Sequence, residues 1–226
     1  MKKILFNDKY ELTQAVLDGR KTMTRRAITC PRTFRGEWVA GFNVHIQQSD
    51  RKIVDYPCMY DADEREFDGG QILPKYKVGE VVAIAQCYMD IDQFHRNIKN
   101  AAYLELLPGL KLYPGWGNKM FVRSDLMLHH IRITDIKVER LKDISADDCL
   151  KEGVMPFEHE IPTRAKQVIT RYYPCKDLMD SAKCAGWGRV YGTPQEAFSV
   201  LIDKVSGRGT WESNPYVWVY EFELVD

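Results

Sequence analysis

The feature that most constrains the fold is a pattern of bulky residues near the C-terminus. From Tyr216 to Leu224 every second residue is bulky and apolar or aromatic, and a period of two predicts a β-strand. The segment from Ile131 to Leu141 also alternates, but its apolar residues change phase near Thr134. A β-bulge there would return them to one face of a sheet. These segments therefore predict a bent sheet, as in a small barrel.

Helix signals separate the predicted strands. Thr193-Pro194-Gln195-Glu196 combines an N-cap residue, a proline in the first turn and a glutamate at the third helical position. Ser145 is the N-cap of a short predicted helix that ends at Gly153, and Gly19 follows another helix as its C′ residue. The order helix, strands, short helix, helix, strand has no βαβ rhythm. It favours an α+β fold, in which peripheral helices surround a bent β-barrel.

One stretch carries most of the reactive chemistry. Between Gly19 and Arg35 the chain has six basic residues, four threonines and no acid. Guanidinium, ammonium and hydroxyl groups are suited to binding phosphate, sugar and base edges. Because the stretch follows a helix end, we expect it to be a loop that traps anions. The residues expected to bind phosphate or nucleic acid are Arg20, Lys21, Thr22, Arg25 and Arg26.

The overall composition limits the partners that this chain can have. Its 226 residues carry 32 basic and 32 acidic side chains, for a formal charge of zero, which argues against a protein that coats nucleic acid through bulk charge. No apolar run is long enough for a transmembrane helix. The six cysteines form no CxxC pair and predict a reduced, cytoplasmic chain. The acidic stretch 61–68 lacks EF-hand spacing, so we predict no metal and no cofactor.

Four islands of sequence, in this order, resemble the ASCH domain family. They are Gly19–Arg26, Val78–Val82, Glu139–Ile144 with Glu152 shortly after it, and Asn214–Val219. The match extends over about half of the chain, as islands at both ends and in the middle, and the ordered set is more specific than the glycine-x-lysine motif alone. The resemblance implies a PUA-like β-barrel, and the longer members of the family that the chain resembles are phage-like or bacterial proteins. On this basis we expect one domain, residues 1–226, with insertions at about 27–75, 88–125 and 154–190.

The resemblance also implies a function, in two alternative forms. The family has a cleft for RNA or for a nucleoside or nucleotide, which implies a binding protein that uses the Gly19–Arg26 loop. Some small bacterial members are acetylcytidine amidohydrolases that use a lysine, a threonine and a glutamate. The first two match Lys21 and Thr24, and the glutamate matches Glu152 by its place after the central strand. This chain is about twice as long as those enzymes, so its substrate does not follow from the match.

The chemistry of the three matched residues can be judged separately. Amide hydrolysis needs a nucleophile, a base that deprotonates it and an acid for the leaving nitrogen. The Thr24 hydroxyl becomes a nucleophile only if a neighbour such as Lys21 accepts its proton. Lys21 must then be neutral, although a lysine with an unperturbed pKa of about 10.4 is almost fully charged at neutral pH. Burial and nearby arginines lower that pKa, whereas a close Glu152 raises it. The distance between Glu152 and the other two residues therefore separates catalysis from binding alone.

Overall fold

The structure is a computed structural model that describes residues 1–46, 55–98, 114–161, 167–175 and 190–225. The described helices are α1 (Leu12–Leu17), α2 (Tyr88–Asn97), α3 (Ala146–Lys151), α4 (Pro194–Ser206) and α5 (Thr210–Ser213). The described strands are β1 (Lys3–Ile4), β2 (Met23–Ala27), β3 (Thr33–Phe34), β4 (Glu37–Trp38), β5 (Gly41–Asn43), β6 (Cys58–Tyr60), β7 (Glu66–Gln71), β8 (Val81–Ile84), β9 (His130–Arg140), β10 (Met155–Ile161), β11 (Gln167–Tyr173) and β12 (Tyr216–Leu224).

A five-stranded mixed sheet in the order β1-β8-β9-β12-β2 forms the centre of the molecule. β1 runs parallel to β8, and the other neighbouring strands are antiparallel. The predicted C-terminal strand is confirmed as β12, between β9 and β2. Val217 and Val219 on one face of β12, and Trp218 and Tyr220 on the other, are all buried. Both faces of the sheet are therefore covered along this strand.

The predicted bulge in β9 is also confirmed. Glu221 of β12 lies opposite Asp135, but Phe222 lies opposite Ile133, so Thr134 has no partner across the pair. Residues directly opposite each other share a face of a sheet. The extra residue therefore puts Ile133 and Ile136 on the same face, although three positions separate them.

The basic stretch is not the loop that its position after a helix predicts. Gly19, at φ +71°, provides the turn after α1, but residues 23–27 form β2 and pair with β12 from Met23↔Glu221 to Ala27↔Val217. Without β2, the backbone N–H and C=O groups along this edge of β12 would lack hydrogen-bond partners, and pairing with β2 provides them. Alternation along β2 then sends Thr24 and Arg26 to one face and Arg25 to the other.

The helices begin and end largely where the sequence predicts. Thr193 caps α4 in a capping box with Glu196, and Ser145 caps α3 by accepting a hydrogen bond from the Asp148 amide. Gly207 follows α4, and α3 packs against α4. The main hydrophobic core takes residues from the sheet, α1, α3 and α4, and a second, smaller cluster surrounds the buried side of α2.

The described fold is therefore mixed α and β, as predicted, but its strands form no closed barrel. Within the described ranges β1 and β2 are the two ends of the main sheet and do not pair with each other. The ranges expected to be insertions contain the three-stranded sheet β5-β6-β7, the hairpins β3-β4 and β10-β11, and α2. Parts of them, residues 47–54, 99–113, 162–166 and 176–189, lie outside the described residues.

Candidate functional site

A buried ion pair joins the basic stretch to the end of α3. The Lys21 ammonium donates to the Glu152 carboxylate at 2.6 Å and to the Glu152 backbone carbonyl at 2.8 Å. The two residues are 2% and 4% exposed. Main-chain hydrogen bonds fix the turn that carries Lys21, because its amide donates to Ala15 and the Thr22 amide donates to Lys151. Lys21 and Glu152, which the ASCH resemblance pairs, are therefore in direct contact.

This ion pair lies in the wall of a pocket of about 620 Å³, here called the main pocket. Thr24 and Arg26 of β2 also line it, so the three residues matched to the amidohydrolases share one pocket. Its polar lining is Asn7, Asp8, Lys9, Lys21, Thr24, Arg25, Arg26, Asn118, Lys119, Glu152 and Ser206. Its apolar lining is Leu5, Phe6, Leu12, Met120, Phe198, Leu201, Ile202 and Val205. Its volume falls in the range usual for small-molecule sites.

Burial of Lys21 affects its protonation. Desolvation lowers the pKa of the ammonium from its ordinary value, and the nearby charges of Arg26 and Arg25 lower it further. The carboxylate of Glu152 acts in the opposite direction, both through its charge and through the hydrogen bond. Burial dominates, so the net direction is downward. A lysine shifted in this way is more readily neutral, which is the state that a general base needs.

Arg25 lies in a different environment, although it is only four residues from Lys21. Its side chain has no exposed area and contacts three carboxylates. It donates to Glu139 at 2.5 and 2.8 Å, to Asp148 at 3.0 Å and to Glu152 at 3.2 Å. We call this set the Arg25 cluster. Its guanidinium is saturated with protein carboxylates, so the geometry does not favour the predicted role of Arg25 in binding phosphate.

The carboxylates of the Arg25 cluster stabilise the charged form of the Arg25 guanidinium. Burial by itself lowers the pKa of the Arg25 guanidinium, but the carboxylates of Glu152, Glu139 and Asp148 together outweigh it and raise that pKa. The Glu152 carboxylate belongs to both arrangements, because one oxygen accepts from Lys21 and the other from Arg25. Arg25 therefore fixes the orientation of the carboxylate that contacts Lys21.

The remaining residues of the basic stretch differ in position. Arg26 donates to the carbonyl of Leu5 at 2.6 Å and lines both the main pocket and a second pocket of about 380 Å³ beside Trp218. Arg20 pairs with Asp18 at 2.9 Å at the surface. Neither Arg20 nor Thr22 is among the residues that line the main pocket. The structure thus brings together Lys21, Thr24, Arg25, Arg26 and Glu152, and leaves Arg20 and Thr22 outside.

Sequence reasoning missed the two carboxylates that complete the Arg25 cluster, and it missed the contribution of α4 to the main pocket. Glu139 lies in β9 and Asp148 in the first turn of α3. One signal for Glu139 was available, because the bulge predicted at Thr134 fixes which charged residues of β9 share a face. Nothing in the local sequence of α4 indicated that it would line the same pocket as Lys21.

No protein-family model, curated protein or solved structure matches the chain. In the ranges that the structure describes, none of the helices has the length and apolar character that crossing a membrane requires. In the same ranges, Cys30, Cys58, Cys87 and Cys149 are free thiols. The function of the chain is therefore inferred from the residues of the site itself.

Proposed function

We propose that this chain is an amidohydrolase that removes the acyl group from an N-acylated cytidine in the main pocket. The observation that carries the proposal is the 2.6 Å contact between Lys21 and Glu152 in the wall of a pocket that Thr24 also lines. The four ASCH-like islands of sequence give independent support, and with them we propose a PUA-like relationship for the fold. We also propose a reducing, cytoplasmic setting, because Cys30, Cys58, Cys87 and Cys149 are free thiols.

The charges of the site favour a small ligand over a strand of RNA. Binding of an RNA backbone depends on cations that are free to neutralise phosphates. Arg25 is saturated by three carboxylates, Lys21 is paired with Glu152, and Lys119 contacts Asp8 at 2.7 Å. The main pocket has a volume usual for a small-molecule site, and its lining combines polar groups with an apolar wall.

The first half of the proposed reaction forms an ester on Thr24. Neutral Lys21 accepts the proton of the Thr24 hydroxyl while the hydroxyl oxygen attacks the acyl carbonyl carbon. Arg26 keeps further N–H groups beyond the one that it donates to Leu5, and these can stabilise the negative charge on the carbonyl oxygen. The carbon–nitrogen bond then breaks. The leaving amino group of cytidine takes the proton from the Lys21 ammonium.

The second half of the reaction hydrolyses the ester. A water molecule attacks the acyl carbon and gives its proton to Lys21, which returns it to the threonine oxygen as the carboxylic acid leaves. Each time Lys21 becomes an ammonium, the Glu152 carboxylate lies 2.6 Å away to stabilise it. One amide and one water become cytidine and an acid, and no cofactor takes part.

The alternative function is binding of a nucleoside, a nucleotide or RNA without turnover. One observation favours it. The contact with Glu152 raises the pKa of Lys21 and so opposes the loss of its proton, although burial has the larger effect. A permanently charged pair would bind and orient a ligand but would not accept the Thr24 proton.

The test measures release of cytidine from N4-acetylcytidine by the wild type and by variants of the three matched residues. We expect Thr24→Ala to lower kcat by at least about a hundredfold while ligand affinity changes little. Glu152→Gln should lower kcat by about 10²–10⁴-fold. Thr33→Ala is the control, because Thr33 is an exposed strand threonine outside the main pocket. Its kcat should equal that of the wild type.

Two results would contradict the proposal. One is a wild-type protein that binds acetylcytidine and releases no cytidine from any acylated form. The other is equal turnover in the wild type and Thr24→Ala. In the binding alternative, Thr24→Ala weakens affinity by about 1 kcal/mol, the contribution of one hydrogen bond, and Lys21→Ala weakens it further.

A further inference from the structure

One wall of the main pocket is apolar and comes from a single helix. Phe198, Leu201, Ile202 and Val205 of α4 all line the pocket. Their spacing of three, one and three residues puts them on one face of the helix. Phe198, Leu201 and Ile202 are 1%, 3% and 7% exposed, and Val205 is half-buried. The wall therefore has a buried inner part and a more accessible outer end at Val205.

This wall is larger than an acetyl group can use. Acetyl extends only one methyl group beyond the carbonyl carbon that Thr24 would attack, and one methyl group cannot contact several residues spread along a helix face. Apolar side chains from other elements, Leu5, Phe6 and Met120, line the same pocket. Its volume of about 620 Å³ lies in the middle of the range for ligands of drug size.

We propose that the substrate of this site is a cytidine with an N-acyl chain longer than acetyl, of butyryl to hexanoyl length, and that the chain packs along the α4 wall. This inference rests on the proposed function for the identity of the amide. The observations behind it are separate, because the groups that would act on the amide lie in the turn before β2, in β2 and at the end of α3, whereas the wall belongs to α4.

The size of the expected effect follows from the burial of apolar surface. Each methylene group moved from water to an apolar site improves binding by up to about fourfold. Contact with α4 should therefore give stepwise gains as the chain grows from acetyl to hexanoyl. The cytosine ring could occupy the wall instead. Affinity would then not depend on the length of the acyl chain.

The experiment measures affinity and turnover along a series of N4-acetyl-, N4-butyryl- and N4-hexanoylcytidine. Affinity is measured by calorimetry on Thr24→Ala, which retains the ligand, and kcat/KM is measured on the wild type. We expect at least a tenfold tighter Kd for hexanoylcytidine than for acetylcytidine. Val205→Trp, which fills the outer end of the pocket beside α4, should remove most of that gain. Val200→Trp is the control, since Val200 is a half-buried residue of α4 outside the pocket.

The two readouts separate failure of this inference from failure of the proposed function. A rising affinity series without turnover supports the chain-length inference and contradicts hydrolysis. Turnover with an affinity series that is flat or falling overturns the inference and keeps the hydrolase. Absence of binding to every member of the series overturns it as well. The same loss of affinity in Val205→Trp and Val200→Trp would show that the wall does not contact the chain.

Discussion

Lys21 and Arg25 belong to the same short stretch and contact the same carboxylate, yet their surroundings change their pKa values in opposite directions. Burial lowers the pKa of the Lys21 ammonium. The same effect on Arg25 is outweighed by three carboxylates, and its pKa is raised. The difference teaches that burial and the number of carboxylate partners together set the direction in which the pKa of a buried cation shifts. Lys21 has one carboxylate partner and Arg25 has three.

Because their pKa values shift in opposite directions, Lys21 and Arg25 are suited to different roles in the site. A guanidinium does not lose its proton in proteins, and it holds carboxylates in fixed geometry through several N–H groups. An ammonium on a flexible chain changes its pKa readily when it is buried. Arg25 is therefore suited to hold Glu152 in place, and Lys21 is suited to exchange a proton with a ligand in the main pocket.

The largest effect that we expect comes from removing Arg25. Arg25→Met leaves the buried carboxylate of Glu152 and the half-buried carboxylates of Glu139 and Asp148 without their main cation. Loss of one partner from a buried ion pair costs about 3–5 kcal/mol of folding free energy. Urea denaturation of the variant and of the wild type measures the difference. If the loss arises from unpaired charge, adding Glu139→Gln and Asp148→Asn to Arg25→Met should recover part of it. No recovery would show that Arg25 stabilises the fold through packing alone.

A smaller effect, which sharpens the comparison, is the pH dependence that Lys21 contributes. Its pKa is lower in the folded state than its ordinary value of 10.5. Between these two pKa values the unfolded chain binds the extra proton, so stability rises with pH across the window and is level outside it. The difference in unfolding free energy between wild type and Lys21→Met should show this rise as the pH approaches 10.5 from below.

Lys77→Met serves as the control for this pH series, because Lys77 is an exposed lysine outside the main pocket. The difference in unfolding free energy between wild type and Lys77→Met should stay constant over the same range of pH. If the difference in unfolding free energy between wild type and Lys21→Met falls as pH rises, Glu152 has a larger effect than burial on the pKa of Lys21. Lys21 would then resemble Arg25, and the contrast between the two cations would be lost.

The smallest effect should come from Arg20, the neighbour of Lys21 in sequence. Its ion pair with Asp18 is partly exposed, at 29% and 37% of the two side chains. Exposed pairs contribute at most about 1 kcal/mol and often less. Arg20→Met should therefore change the folding free energy by no more than that and leave any activity unaltered. A loss comparable to that of Arg25→Met would contradict the division between the two environments.

The sequence alone predicts most of the local elements and half of the site. The alternation in β12, the bulge in β9 and the caps of α3 and α4 depend on residues close together in the chain, and all were predicted. The strand β2 was not, because its extended form depends on pairing with β12, nearly two hundred residues away. For the same reason, the site residues that follow from the basic stretch and the ASCH resemblance were predicted. Glu139, Asp148 and the α4 wall, which reach the site only through the fold, were not.

The unpaired Thr134 has a consequence for what β9 requires of its sequence. Beyond it, Lys137 and Glu139 share a face with Val219 and Arg25, whereas Ile131 and Ile133 lie on the opposite face. The pairs on the two sides of Thr134 involve Glu221 and Phe222, which are consecutive in β12, so a β9 strand without Thr134 would form a regular ladder with Glu139 still opposite Val217. The bulge therefore lets β9 hold one additional residue and still place a carboxylate beside Arg25. At this position both a substitution and the loss of the residue are compatible with the site.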